Sequence, residues 1–137
     1  IGLLGFLTKK ISGVLHFLVQ AKVEPGNLDI IQLSPTVSCS NINYRNKNPK
    51  TKPPFYDYFI NNKRVEISFD VLQSEEGGRF YHFQNRNMII EIDESEEVKI
   101  PDNYVFMTLN QIMEFAKYSM FDMEARSLLS CLNLIKN

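Results

Sequence analysis

The sequence predicts an α+β domain with a mixed or mainly antiparallel sheet and flanking helices, two of them C-terminal. Most of the strand-like runs come before residue 108, and the two clearest helical patterns come after it. Strands and helices do not alternate along the chain as they do in parallel α/β folds. The 137 residues suit one domain, covering 1–137, with a single core.

The chain begins with a predicted β-hairpin. Residues 1–10 and 14–24 form two extended runs, and Ile11-Ser12-Gly13 between them is typical of a hairpin loop. The second strand has an apolar face and a polar face. The polar face fits either a solvated outer surface or the wall of a cleft. The apolar residues are Leu15, Phe17, Val19, Ala21 and Val23, and the polar ones are His16, Gln20, Lys22 and Glu24.

The middle of the chain carries weaker signals. Residues 28–33 predict a short strand, and 34–44 predict an ordered loop rich in hydroxyl and amide groups. Such a loop fits either a plain surface connection or a binding site for sugar hydroxyls and a base. The basic, proline-rich run 45–54 predicts an exposed lid or linker. Residues 55–60 fit a helical turn as well as a short strand.

The run 65–92 predicts an antiparallel hairpin with an unusual density of polar groups. Every second residue from Val65 to Val71 is apolar, which predicts one half-buried face. Gly77 and Gly78 permit a tight turn and a close approach of the backbone to a ligand. Alternation then divides the returning strand between two faces. One face carries Arg79, Tyr81, Phe83 and Asn85, and the other carries Phe80, His82, Gln84 and Arg86.

The C-terminal part of the chain predicts two helices. Residues 94–102 are acidic and should be solvated, and 104–107 are a short apolar run. Thr108 and Gln111 have the spacing of a capping box, in which each side chain satisfies a backbone amide at a helix start. A final helix is expected from Asp122, a good N-cap residue. The expected buried positions are Leu109, Ile112, Met113 and Ala116 in one helix, and Ala125, Leu128, Leu129, Leu132 and Ile135 in the other.

Composition and charge are those of an ordinary soluble globular protein. The hydrophobic fraction is 44%, the charged fraction is 23% and the net charge is −1, so no long-range field favours nucleic acid or an anionic membrane. No apolar run reaches about 18 residues, and Cys39 and Cys131 have neither metal-ligand nor disulfide spacing. We expect a cytoplasmic protein without a membrane or nucleic-acid partner. The chain opens inside a strand pattern and without methionine, which indicates a fragment of a longer protein.

Three segments resemble one family, in the same order along nearly the whole chain. The run Gln73-Ser-Glu-Glu-Gly-Gly-Arg-Phe-Tyr-His82 with Asn85-Arg86 resembles the signature of the NDP-hexose 2,3-dehydratases, which act on dTDP-4-keto-6-deoxyglucose. Residues 16–27 with 32–37 resemble the family's first hairpin and following loop, and 124–132 resemble its closing helix. The family is similar to two Nudix-like modules in one polypeptide. This chain has room for one, and its closing motif indicates the C-terminal one.

The resemblance implies a lyase and a set of partners. The expected partners are a dTDP-4-keto-6-deoxy sugar, an N-terminal homologous module of the same polypeptide and, in a homodimer, a second copy. The alternative is a non-catalytic module of the same protein that binds nucleotide sugar or assembles the dimer.

Metal and nicotinamide chemistry is poorly supported by the residues. Nudix hydrolases hold magnesium with clustered glutamates, and here only Glu75-Glu76-x-Gly78 echoes the end of that motif, in a strand-like run. Val71 and Leu72 stand where the motif requires an arginine and a glutamate. The chain also lacks a His-x-x-x-His pair, a nucleophile elbow and a glycine-rich dinucleotide fingerprint. We therefore expect no metal and no cofactor.

The reaction implied by the resemblance removes water across C2 and C3 of the sugar. A base takes the C3 proton, donors hold the developing oxyanion at C4, and an acid assists the departing C2 hydroxyl. His82 is the leading candidate for the base, because imidazole titrates near neutral pH. Tyr81 and Glu76 are the other catalytic candidates. Tyr81 projects to the opposite strand face from His82 unless a bulge re-aims one of them.

Charged and neutral side chains are candidates for binding the substrate. Arg79 or Arg86 suits the diphosphate, because a guanidinium offers forked donors and keeps its charge. Lys22 is the alternative on the first hairpin, and Tyr44 offers a stacking surface. The remaining candidates for contacts with sugar or base are Gln20, Gln32, Thr36, Ser38, Gln73 and Asn85.

Overall fold

The computed structural model describes residues 2–24, 30–39, 52–61, 64–76 and 82–117. These residues form strands and two helices, α1 (Tyr56–Ile60) between β4 and β5 and α2 (Leu109–Ala116) after β7. The strands are β1 (Gly2–Ile11), β2 (Val14–Glu24), β3 (Ile30–Ser34), β4 (Val37–Cys39), β5 (Glu66–Glu76), β6 (His82–Ile92) and β7 (Tyr104–Thr108).

β1 and β2 form the predicted first hairpin. Their ladder begins with Ile11 opposite Val14. Ser12 and Gly13 connect the strands, with φ angles of 52° and 79°. Positive φ at both central residues is the geometry of a type I′ turn, whose twist matches that of the flanking strands. The short connection explains why the two strands stay in register.

All the described strands belong to one mixed sheet. The main path is β3-β2-β1-β6-β5, with β4 also paired to β1 and β7 to β2. β1 and β6 run parallel, from Gly2 opposite Asn85 to Lys9 opposite Ile92. The other pairings between described strands are antiparallel. The prediction of a mixed, mainly antiparallel sheet is therefore confirmed.

β1 and β2 separate along the chain, and the β3–β4 segment fills the gap between them. β3 pairs with the second half of β2, and β4 pairs with the first half of β1, with Leu3 opposite Cys39. The prediction of a loop over 34–44 is wrong at 37–39, where β4 lies. A strand of three residues is too short to produce an alternating pattern. Residues 40–44 lie outside the described residues.

The sheet is apolar on both faces, and one of the two helices in the described ranges packs on each. α2 packs on one face, here called the α2 face, and α1 packs on the other, the α1 face. The single core expected from chain length is thus two apolar layers. The buried residues of the α2 face are Leu4, Phe6, Phe17, Val19, Leu33, Ile89 and Ile112. Those of the α1 face are Leu3, Leu7, Leu18, Val37, Tyr56, Phe59, Met88, Ile90, Ile92 and Tyr104.

β5 and β6 form the predicted antiparallel hairpin, with a β-bulge at Ser68. Ile67 lies opposite Ile90 and Phe69 lies opposite Ile89, so Ser68 is an extra residue in β5. Phe69 packs on the α2 face, whereas Ile67 is 54% exposed and paired with a residue of the α1 face. The prediction that these apolar residues share one half-buried face is wrong. A bulge reverses the alternation without leaving a mark in the sequence pattern.

The helices match the sequence in part. Thr108 Oγ1 accepts the N–H of Gln111 at 3.2 Å, and Gln111 Oε1 accepts the N–H of Thr108 at 2.9 Å, which is the predicted capping box of α2. Residues 55–60, which fit two interpretations, contain helix α1. Within the described residues one helix rather than two follows the last strand, and the helix expected from Asp122 lies outside them. No helix in the described ranges is long and apolar enough to cross a membrane.

Candidate functional site

The β5–β6 hairpin brings residues of the predicted signature run into register at one end of the sheet. Glu76 lies opposite His82, and Gln73 lies opposite Asn85. On the other edge of β6, Asn85 lies opposite Gly2 at the start of β1. Two catalytic candidates and two carboxamide residues therefore occupy neighbouring strand positions at this end of the sheet.

Arg86 on β6 makes a two-point ion pair with Asp70 on β5. Nε donates to Oδ1 at 2.8 Å, and the terminal nitrogen Nη2 donates to Oδ2 at 2.6 Å. The Arg86 side chain is 40% exposed and that of Asp70 is 26% exposed. The hydrogen bonds to Asp70 raise the pKa of Arg86, partial burial opposes the rise, and the negative charge of Asp70 adds to it. The guanidinium is thus charged and held in one orientation.

The bulge at Ser68 explains why Asp70 meets Arg86. Asp70 lies opposite Met88 and Arg86 lies opposite Leu72, so the two charged residues are diagonal neighbours across the strands. Met88 belongs to the buried layer of the α1 face, which places the ion pair on that side. Sequence reasoning treats Asp70 only as a polar strand position, because no local signal pairs it with a residue 16 positions away.

Thr36, a predicted substrate contact, lies where β1 and β2 separate. Its Oγ1 accepts the backbone N–H of Leu7 at 2.9 Å and donates to the carbonyl of Leu18 at 2.5 Å. Its own carbonyl accepts a hydrogen bond from the Tyr104 hydroxyl at 3.2 Å. Thr36 is 0% exposed, so in this structure its hydroxyl joins two strands rather than facing a cleft.

Three further binding candidates lie on the β2–β3 part of the sheet. Lys22 lies opposite Gln32, and Gln20 lies two positions earlier on β2. Leu18 belongs to the α1 face, and strand alternation puts position 20 on the same face. Gln20 and Gln32 are partly buried. These positions share a face with Arg86, but they lie on the branch of the sheet formed by β2 and β3, whereas Arg86 lies on the branch formed by β1, β6 and β5.

The remaining candidates are separated from this group or incompletely described. Ser38 lies opposite Leu4 of the α2 face, on the other side of the sheet from Arg86. Tyr44, Arg79 and Tyr81 lie outside the described residues, as do Gly77 and Gly78, where the sequence predicts a turn. The structure describes the strand positions, but not the side chains, of Lys22, Gln73, Glu76, His82 and Asn85. The roles of all these residues stay predictions.

A cavity of about 330 Å³ opens at the opposite end of the β5–β6 hairpin, where β5 begins and β6 ends. Two basic side chains share its wall with four acidic ones. The lining residues are Lys10, Arg64, Glu66, Glu91, Ile92, Asp93 and Glu94, and none is a predicted site residue. The described ranges contain no group of three or more His, Cys, Asp or Glu residues placed to hold a metal ion.

Solved structures with a similar fold include Nudix proteins. The chain aligns with a C. elegans Ap4A hydrolase at a TM-score of 0.54 and 12% identity, covering 99% of this chain and 97% of that one. A Nudix hydrolase from M. smegmatis, RenU, gives 0.56 at 10% identity, with coverages of 98% and 84%. The C-terminal domain of mouse MUTYH, from its complex with human PCNA, gives 0.53 at 8% identity, with coverages of 96% and 86%. These likenesses establish the fold alone, a Nudix-like α+β mixed sheet.

Three curated relatives share one activity name. Proteins of Saccharopolyspora spinosa and Amycolatopsis orientalis are each 42% identical to this chain over 133 residues, and one of Streptomyces violaceoruber is 37% identical over 135. All three are called dTDP-4-dehydro-6-deoxy-alpha-D-glucopyranose 2,3-dehydratase. The matches cover 96% to 98% of this chain and 27% to 30% of the relatives. The chain therefore spans less than a third of the length of the curated relatives it matches.

The sequence profile of the family described as NDP-hexose 2,3-dehydratase matches residues 1–132. That range includes the three segments that resemble the family. The resemblance read from the sequence is confirmed, and the chain belongs to the NDP-hexose 2,3-dehydratase family.

Proposed function

We propose that this chain is one module, the C-terminal one, of a dTDP-4-keto-6-deoxyglucose 2,3-dehydratase. The observation that carries the proposal is the match to relatives of that activity over 96% to 98% of this chain. Because the chain spans under a third of their length, we assign the reaction to a longer cytoplasmic protein in which this module supplies part of the site. Its proposed partners are an N-terminal homologous module and, in a homodimer, a second copy.

The proposed reaction is an elimination next to a ketone. A base removes the C3 proton, which the C4 carbonyl acidifies, and the electron pair forms an enolate whose oxygen needs hydrogen-bond donors. The C2–O bond then breaks, and an acid protonates the departing hydroxyl to give water. The enol that remains tautomerises to the 3,4-diketo-2,6-dideoxy sugar. Only water is lost, so the overall reaction needs no external oxidant or reductant.

The position of His82 supports its assignment as the base. His82 begins β6 and lies opposite Glu76, and imidazole titrates near neutral pH, which suits a base that must take up and release a proton. Glu76 and Tyr81 are the other candidates for proton transfer. Catalysis requires these groups to converge on the reacting atoms of the sugar. Each must come within hydrogen-bond distance, about 3 Å, of the atom that it serves.

Binding of the nucleotide diphosphate is assigned to the arginines of the same run. Arg86 is charged and exposed enough to meet a ligand, and Arg79 is the second candidate. Asn85 and Gln73, opposite one another on the two strands, are proposed to contact the sugar or the base. Carboxamides suit that task because each offers two donors and an acceptor without a charge.

A second proposal is that this module binds nucleotide sugar, or assembles the protein, without catalysing. The short coverage of the relatives favours it, because more than two thirds of their length lies in other segments. The MUTYH domain seen in complex with PCNA has a similar fold, and one fold supports many functions.

Binding and turnover measurements on the full-length protein separate the two proposals. The protein is titrated with dTDP and assayed with dTDP-4-keto-6-deoxyglucose for the diketo product. If the module is catalytic, His82→Ala abolishes product formation and leaves the affinity for dTDP within about twofold. Unchanged turnover in that variant and also in Glu76→Gln and Tyr81→Phe favours the binding module. Wild-type protein that fails to bind dTDP contradicts both proposals.

A further inference from the structure

We propose that Asp70 is a positioning residue that holds the guanidinium of Arg86 so that its outer edge meets the diphosphate of the substrate. This inference rests on the proposed function. It assigns a role to a carboxylate that the sequence pattern did not single out. Asp70 acts through Arg86 and does not itself touch the ligand.

The geometry of the ion pair leaves one edge of Arg86 available for a second two-point contact. Nε and Nη2 of Arg86 each donate one hydrogen to the Asp70 carboxylate, at 2.8 and 2.6 Å. A guanidinium has five N–H donors in a rigid plane, so the remaining hydrogens on Nη2 and Nη1 point away from Asp70 along the end of the group. That edge matches the spacing of two phosphate oxygens.

The location of the ion pair suits a diphosphate beside the sugar. Arg86 and His82 lie on one strand, four residues apart, which corresponds to about 13 Å between their Cα atoms. Strand alternation assigns positions 82 and 86 to the same face. In the proposed binding mode the nucleotide sugar lies along β6, with its hexose near His82 and its diphosphate near Arg86.

The bulge at Ser68 is an independent observation in favour of a dedicated role. Counted from Ile67 without the extra residue, Asp70 would lie on the α2 face, away from Arg86. The bulge therefore brings Asp70 beside Arg86. β-Bulges are frequent next to active sites because they re-aim side chains in this way.

Positioning and simple electrostatics predict opposite outcomes for Asp70→Asn. Removing a negative charge near a diphosphate strengthens binding if through-space repulsion dominates. If orientation dominates, loss of the two-point ion pair leaves the long arginine side chain free to move, and binding of dTDP weakens. The direction of the change in dTDP affinity therefore tests the proposal.

The experiment compares wild-type full-length protein with Asp70→Asn, Arg86→Ala and the double variant, and uses Glu66→Gln on the same strand as a control for the charge change. Calorimetric titration with dTDP is expected to show about tenfold weaker binding for Asp70→Asn. The affinity for thymidine should stay within about twofold, since the nucleoside lacks the diphosphate. With dTDP-4-keto-6-deoxyglucose, KM should rise while kcat is nearly unchanged, and Glu66→Gln should resemble the wild type.

The effects of the two substitutions on the affinity for dTDP should not be additive, and a purely structural role of Asp70 does not predict this. If Asp70 acts through Arg86, the double variant binds dTDP no more weakly than Arg86→Ala alone. Unchanged or tighter binding of dTDP by Asp70→Asn, or equal losses for dTDP and thymidine, overturns the positioning role. Wild-type protein that neither binds dTDP nor forms product overturns the proposed function as well, so the two failures are distinguishable.

Discussion

The hydroxyl of Thr36 accepts the backbone N–H of Leu7 at 2.9 Å and closes the sheet where β1 and β2 separate. The β1–β2 ladder stops at Thr8 opposite Phe17, and the next pair would be Leu7 and Leu18. Thr36 takes the place of that pair, because its hydroxyl also donates to the carbonyl of Leu18. A side chain from the β3–β4 connection thus holds together the two branches of the sheet that carry the candidate site.

Thr36→Val should destabilise the fold by about 2 to 4 kcal/mol, because it leaves the buried N–H of Leu7 and carbonyl of Leu18 without their partner. Thr36→Ser keeps the hydroxyl and loses one methyl group, so it should cost about 1 kcal/mol. Urea denaturation followed by circular dichroism gives both free energies of unfolding. Equal losses in the two variants would show that the hydroxyl does not bridge the strands.

A methyl group on Gly5 should not fit beneath α1. A Cβ atom there would lie 2.7 Å from Cδ1 and Cζ of Phe59 and closer still to Cε1, and Phe59 is buried. Gly5→Ala should therefore cost about 1 to 3 kcal/mol through overpacking. Phe59→Leu removes Cε1 and Cζ, so the same glycine substitution should cost much less in that background. Thermal unfolding of the single and double variants measures this coupling, and strictly additive losses would count against the steric explanation.

Stability should fall at alkaline pH through Tyr104. Burial raises the pKa of the Tyr104 hydroxyl above its ordinary value. Below about pH 10 the residue is neutral in the folded and unfolded chains. Above that pH the unfolded chain loses the proton first, so the folded state binds more protons than the unfolded state. The free energy of unfolding therefore falls as pH rises. Phenolate absorbance of the wild type minus that of Tyr104→Phe should give a midpoint above 10, and a midpoint at or below 10 would contradict the expectation.

His82→Ala in the full-length protein should slow exchange of the sugar C3 proton with solvent deuterium by about 10² to 10⁴ fold, the usual contribution of a general base. His16 provides a matched control, since its Nδ1 lies 2.7 Å from the carbonyl of Val14 in the first hairpin. His16→Ala should leave the exchange rate unchanged. Proton NMR of the substrate in deuterium oxide follows both reactions. Wild-type exchange in His82→Ala would remove His82 from the role of base.

Activity of the full-length protein should survive exhaustive chelation and need no added nicotinamide. The proposed elimination loses only water, and the run 71–78 contains only the end of the magnesium-binding Nudix motif. Product formation is measured before and after dialysis against EDTA, and again after magnesium is returned. Activity that disappears on chelation and is restored only by a metal ion would refute this expectation.

Parts of the fold that depend on short-range patterns could be predicted. The first hairpin needs only two extended runs and a glycine turn, and the structure has a two-residue turn with positive φ at Ser12 and Gly13. The capping box at Thr108 depends on two residues three positions apart. Such features are encoded within a few residues, so neighbouring side chains suffice to specify them.

The candidate site could be predicted only in part, because several of its contacts join residues that are far apart in the chain. The chemistry of Arg86 marks it as a candidate for the diphosphate, but its pairing with Asp70 depends on a bulge that breaks the strand pattern. A hydroxyl-rich segment suits sugar binding, which makes Thr36 a predicted substrate contact, yet its hydroxyl lies between two strands in the core. Whether a hydroxyl faces a cleft or a core depends on residues far away in the chain.

The sequence by itself determined the family, the α+β class with a mainly antiparallel sheet, the two hairpins and the helix start at Thr108, because these depend on local periodicity, turn residues and motif order. Only the tertiary structure decided the parallel pairing of β1 with β6, the insertion of Thr36 between the separated strands and the ion pair of Asp70 with Arg86. Each of these joins separate segments of the chain. The hydrogen bond from the Thr8 hydroxyl to the carbonyl of Ile90, for example, links residues 82 positions apart. Such contacts form only when the packing of both sheet faces has brought the strands together, so no local pattern specifies them.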